Sequence, residues 1–211
     1  MNSIQYKRHS GFALIAGAVL LFITMLFHPS GGSFKHLVES TSETIITHSI
    51  GMFSIPFSLF GFWGLAAYFK DDISLSRAAF IASFLALFAG LIAAAINGLA
   101  LPLFVNRFSN ATQETITALK PIIKYNTSIN QAFDFIYIIS YCLAIILWSF
   151  LILRSGEFPK WLGYSGMLLS ISVILFLLSG YVLTNLHGFR LFSLGLIIWT
   201  LLLGGILIRR P

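Results

Sequence analysis

AAFIASFLALFAGLIAAAINGLALPLFVN, residues 78–106, runs from Arg77 to Arg107 without a charged side chain. At about 1.5 Å per residue, roughly 20 helical residues cross a hydrocarbon slab of about 30 Å, so this stretch is long enough to span a membrane. Residues 11–27, 44–69, 135–153, 161–183 and 191–208 have the same apolar character. A soluble domain of 211 residues has no interior able to hide six such segments. The chain therefore reads as an all-α polytopic membrane protein. It is a single domain over residues 1–211, with transmembrane helices expected at 10–28, 43–69, 77–104, 131–154, 160–184 and 188–208.

Composition agrees. Charged residues are 9% of the chain, against about 25% in soluble proteins. A formal charge of +6 would suit nucleic acid, but the basic residues stand singly or in pairs at the ends of apolar runs, where topology accounts for them. Nucleic acid is therefore not an expected partner, and the lipid bilayer is. The lone cysteine, Cys142, lies inside an apolar run, which rules out an intramolecular disulfide and a cysteine-built zinc site and leaves a small packing residue.

The Lys and Arg distribution sets orientation. With the N-terminus inside, Lys7, Arg8, Lys70, Arg77, Arg154, Lys160, Arg209 and Arg210 face the cytoplasm, and Lys35, Arg107, Lys120, Lys124 and Arg190 face out. Both termini are then cytoplasmic. Lys7 and Arg8 before an apolar core also fit a signal peptide, but the core is long and no Ala-x-Ala site follows Phe27.

Several boundaries are legible. Pro29, Gly31 and Gly32 stop the first helix, and Ser40-Thr41-Ser42-Glu43 has the form of a capping box opening the second. Pro56 is expected to kink the second helix, with Ser54 or Ser58 bonding the freed carbonyl. Gly90, Ala94 and Gly98 form a small-residue ridge on the third, which predicts a close neighbour. Ile116, Leu119, Ile122 and Ile123 predict a short amphipathic helix on the outer surface, and Phe34, Leu37 and Val38 a smaller one. Asp72 or Ser74 is the expected cap of the third helix. Trp63, Tyr68, Trp148 and Trp161 read as an aromatic belt at the inner boundary.

Chemistry is expected at one depth. His28 closes the first helix, His48 lies a turn into the second, Asn97 is near the end of the third, Asp134 opens the fourth, and His187 and Arg190 bracket the start of the sixth. Ionisable groups at this level are costly against lipid and so face one another or water. His28, His48 and His187 with Asp134 form a candidate metal set suited to a transition metal such as zinc, with Glu43, Asn97 and Arg190 as supporting or ligand-binding residues. The same layer suits a small polar ligand, metal-activated hydrolysis near the outer leaflet, or the entry of a proton-coupled carrier. The purely structural alternative bonds each histidine to loop backbone and pairs Asp134 with Arg190 or uses it as a helix cap.

Phe158-Pro159-Lys160-Trp161-Leu162-Gly163 resembles a short inner loop of several families of uncharacterised bacterial multi-helix integral membrane proteins. That resemblance covers six residues. It implies a bacterial inner-membrane protein and no activity. The leading functional expectation is a non-enzymatic membrane protein that binds a metal ion or small polar ligand at its outer face. A metal-dependent hydrolase and a small solute carrier are the alternatives.

Overall fold

Pro29, Gly31 and Gly32 end the first apolar run and Pro159 precedes the fifth, and the apolar runs are helical. The computed structural model describes residues 3–209. These form α1 (Ser3–Phe27), α2 (Phe34–Glu39), α3 (Thr41–Tyr68), α4 (Ile73–Ala95), α5 (Leu101–Asn106), α6 (Gln113–Ser155), α7 (Lys160–Leu178) and α8 (Leu186–Arg209), with no strand among the described residues. A 3-10 turn, Lys70–Asp72, leads into α4, and a π-helical turn, Ile96–Ala100, joins α4 to α5. Among the described residues six stretches are long and apolar enough to cross a membrane: Lys7–Phe27, Thr41–Tyr68, Lys70–Asn106, Gln113–Ser155, Lys160–Leu178 and Leu186–Arg209. Arg210, counted above among the inner positives, lies outside the described residues.

The helices pack in a closed circuit: α8 on α1, α1 on α3, α3 on α4, α4 on α6, α6 on α7, and α7 back on α8. Small residues set how closely they approach. A Cβ on Gly11 would sit 2.7 Å from the Gly204 carbonyl oxygen, and one on Gly204 would sit 2.8 Å from that of Gly11, so α1 and α8 meet backbone to backbone. The ridge on α4 serves two neighbours. Gly90 makes room for the Tyr137 ring of α6, and Gly98, in the π-helical turn, makes room for His48 of α3. Inside the circuit lie Phe62, Leu65, Tyr141, Trp148, Leu196 and Trp199. Outside, Phe53, Leu168 and Leu178 are 69%, 68% and 79% exposed, an apolar surface suited to lipid rather than water.

The structure corrects several expectations. The amphipathic segment is not a separate surface helix. It is the N-terminal part of α6, which runs unbroken for 43 residues, about 65 Å and twice the slab. Thr112 caps it through the Thr115 amide, and Thr117, whose carbonyl Pro121 leaves without its usual donor, is exposed. Polar residues that read as a loop are accommodated within the helix, their hydroxyls bonding back one turn: Thr127 Oγ1 donates to the Ile123 carbonyl at 3.0 Å and Ser128 Oγ to that of Lys124 at 3.1 Å.

The expected capping box does not form. Ser40 Oγ donates to the His36 carbonyl at 2.8 Å, because α2 runs almost directly into α3, and the working cap is Ser33 at the start of α2. Asp72 makes no cap bond. It faces Arg154 at 3.4 Å. Ser54 Oγ bonds the Gly51 carbonyl at 2.6 Å, one residue upstream of the carbonyl that Pro56 frees. Trp148 leaves the belt altogether. It is fully buried and its indole N–H donates to Ser83 Oγ at 3.0 Å, whereas Trp63 and Trp161 are exposed. Finally, α7 stops at Leu178 rather than 184, where Gly180 at φ +84° turns the chain.

Candidate functional site

Where α1 ends and α3, α6 and α8 carry their N-terminal halves, the bundle is hollow. A cavity of about 380 Å³ opens between His28, His48, Asn97 and Asp134 and reaches down to Ser58 and Tyr141. From Thr44 to Ser58 its wall follows about 20 Å of α3. Gly51 and Ser54 lie along the same wall, while Thr24 lines the cavity from α1 and Thr127, Asn130 and Gln131 line it from α6.

The two histidines are set by backbone. His48 Nδ1 lies 2.8 Å from the Thr44 carbonyl, and His28 Nδ1 lies 2.9 Å from the Pro29 carbonyl. A carbonyl only accepts, so each Nδ1 carries the proton and each Nε2 keeps its lone pair. The rings stand 4.7 Å apart at 59°. His48 reaches this position because Gly98 has no side chain; a Cβ there would fall 2.1 Å from that of His48. The π-helical turn that carries Gly98 also brings Asn97 to the cavity, in keeping with the habit of such bulges to sit at functional places. For His28, one residue past its span, burial above all, followed by the neighbouring His48, lowers the imidazole to about 4. It is neutral at physiological pH.

Asp134 is the buried carboxyl of the site. Its Oδ2 accepts from Asn130 Nδ2 at 2.7 Å, one helical turn earlier, and Oδ1 accepts from no described residue. Asp134, Tyr137 and Tyr141 follow at helical spacing and present one face of α6 to the cavity. Tyr137 packs against Tyr141 at 4.9 Å and against Phe189 of α8 at 5.5 Å, which gives the carboxyl an aromatic floor.

Of the residues the sequence placed in this layer, His28, His48, Asn97 and Asp134 line the cavity. Glu43 and His187 do not: both are exposed and turned to other faces of their helices. Arg190 does not line it either. Its Nη2 donates to the His28 carbonyl at 2.7 Å, tying the turn after α1 to α8, so the expected pairing with Asp134 is replaced by this bond. Asp134 is also no helix cap, since α6 begins at Gln113. Among the described residues no group of three or more His, Cys, Asp or Glu side chains is disposed to hold a metal ion. Sequence reasoning missed Asn130, Tyr137, Tyr141 and Phe189. The first three recur with Asp134 at intervals of four, three and four along α6, a signal legible once that segment is read as one helix.

No family model, no curated protein and no solved structure matches this chain.

Proposed function

We propose that this is a multi-pass integral membrane protein of a bacterial inner membrane, with both termini cytoplasmic, and that it binds a small polar organic molecule in the cavity at its outer end without transforming it. The observation that carries the reading is the cavity itself: about 380 Å³, walled by apolar helix faces, with His28, His48, Asn97 and Asp134 gathered at one level. Binding sites are typically concave and mostly apolar, with a few polar groups that fix orientation. Two of the polar groups are already held by backbone carbonyls and need no rearrangement to act. The ligand in this reading is organic, because His187 and Glu43, the residues that would share an ion with His28 and His48, stand on other faces.

Orientation is supported by the basic residues. Lys7, Lys70, Arg77, Arg154, Lys160 and Arg209 all stand near the helix ends remote from the cavity. Thiol labelling tests both parts. Ala94→Cys lines the cavity and Ser74→Cys is exposed at the far end. In intact cells a membrane-impermeant methanethiosulfonate is expected to modify Ala94→Cys and to reach Ser74→Cys only after permeabilisation. Failure to label Ala94→Cys under any condition removes the cavity as a binding site, and the reverse order of labelling overturns the orientation.

A further inference from the structure

The cavity is uneven in charge. Among the described residues lining it none is Lys or Arg, and one, Asp134, is a carboxyl acid. Arg190 does not line the cavity; its Nη2 donates to the His28 carbonyl and its buried Nε has no partner among the described residues, and Lys120 and Lys124 of α6 are exposed and do not line the cavity either. Amide and hydroxyl groups of the lining, those of Asn97, Gln131, Tyr137 and Tyr141, can donate or accept, whereas the histidines and Asp134 are set to accept. Both histidines have committed their N–H to backbone carbonyls and keep an acceptor Nε2, and Oδ1 of Asp134 has no donor among the described residues.

Beneath the carboxyl lies the aromatic floor of Tyr137, Tyr141 and Phe189, with ring centroids 4.9 and 5.5 Å from that of Tyr137. Aromatic faces carry negative potential and attract cations, most strongly where water is excluded. A buried acid, unpaired acceptors and clustered rings, with no Lys or Arg among the described lining residues, together describe a receptor for positive charge.

Resting on the reading of the cavity as a ligand site, we propose that its ligand is an organic cation. A primary ammonium group meets Asp134 and the histidine acceptors, and its apolar or aromatic remainder lies over Tyr137, Tyr141 and Phe189. An anion of the same size finds no Lys or Arg among the described lining residues and meets a carboxylate. A neutral analogue keeps the apolar contacts and loses the ion pair.

Charge-matched thiol reagents separate this proposal from the one it rests on. In detergent-purified full-length protein carrying Ala94→Cys, modification rates are compared for ethylammonium, neutral methyl and ethylsulfonate methanethiosulfonates, each normalised to a free thiol in solution. Native Cys142 is 1% exposed and serves as the unreactive background in the unsubstituted chain. The ethylammonium reagent is expected to outpace the ethylsulfonate by about tenfold or more, and Asp134→Asn to bring the ratio to within about twofold. 2-Phenylethylammonium is expected to slow labelling saturably, and 2-phenylethanol and 3-phenylpropionate to protect far less.

Reaction of all three reagents at equal normalised rates, or equal protection by the alcohol, overturns the cation assignment and leaves the cavity standing. No reaction with any reagent removes the cavity reading beneath it. Should Asp134→Asn fail to yield folded protein, Phe189→Leu keeps the test: protection by 2-phenylethylammonium then weakens while the labelling rate with the neutral reagent is retained, and unchanged protection counts against the aromatic floor.

Discussion

The two ends of the bundle are built from the same six helices and differ in how they are filled. At the Arg154 end, aromatic rings close the interior. Phe62 stacks on Trp148 at 6.1 Å, Phe69 stands 6.2 Å from Trp148 and 5.6 Å from Phe158, and Tyr68 meets Phe158 at 5.3 Å. Lys7 lies 4.5 Å over the Tyr68 ring, the Tyr68 hydroxyl bonds Glu157, and Arg154 faces Asp72. At the His28 end the interior is a cavity. The connections explain the contrast. The turns at 70–72 and 156–159 are short and draw the helix ends together, whereas the His28 end carries α2, the π-helical turn and the overlong α6. Polar side chains held by local backbone do not interdigitate as rings do. The vessel is closed at its base and open at its mouth, which is the form expected of a binder approached from one side.

If the aromatic plug carries the stability of the closed end, truncating its centre is the most damaging change available. Trp148 has no exposed surface and supplies a donor to Ser83. Trp148→Ala is expected to cost about 3–5 kcal/mol in reversible unfolding by sodium dodecyl sulfate, from the lost contacts and the void left behind. Leu21→Ala, beside an existing cavity, is expected to cost less than about half of that, since the site is already loosely packed. Equal costs at the two ends would show that the hollow end is as tightly supported as the plugged one.

The open end has its own critical contact. Gly98→Ala puts a Cβ within 2.1 Å of the His48 Cβ and 2.2 Å of its Cγ, so the ring must leave the Thr44 carbonyl or the π-helical turn must shift. The expected cost is about 1–3 kcal/mol, accompanied by loss of the cavity's labelling pattern at Ala94→Cys. A double-mutant cycle sharpens the claim. In a His48→Gly background the same substitution is expected to add almost nothing, because the clashing Cβ is gone. Additive costs would mean that Gly98 serves the turn itself and not His48.

Hydropathy reads depth well and direction poorly, and this divides what was legible in the residues from what was not. The six spans and the common level of His28, His48, Asn97 and Asp134 follow from where polar residues fall in apolar runs. Which side of a helix each residue faces does not, and so Glu43 and His187, at the correct level, turn out to be exposed. The same limit placed Trp148 in a surface belt, because a tryptophan near a helix end looks alike whether it faces lipid or the interior. The length of α6 was hidden for another reason. Its polar stretch, Asn126 to Asn130, has the composition of a loop, yet the backbone ladder runs through it and Asn130 bonds Asp134 one turn on. The π-helical turn leaves no mark on composition at all.

The smallest effect is expected at the ion pair that covers the plug. Arg154 and Asp72 approach to 3.4 Å, but their side chains are 61% and 31% exposed, so water and salt screen much of the attraction. Arg154→Gln is expected to cost no more than about 1 kcal/mol in the same unfolding assay and to lose even that as ionic strength rises. The comparison with Trp148→Ala decides which contact closes this end. A cost near that of the tryptophan, insensitive to salt, would mean that the charged latch holds the helices and the rings merely fill the space behind it. The expected small, salt-sensitive cost makes the rings the seal and the ion pair a surface contact on a base that stays shut without it.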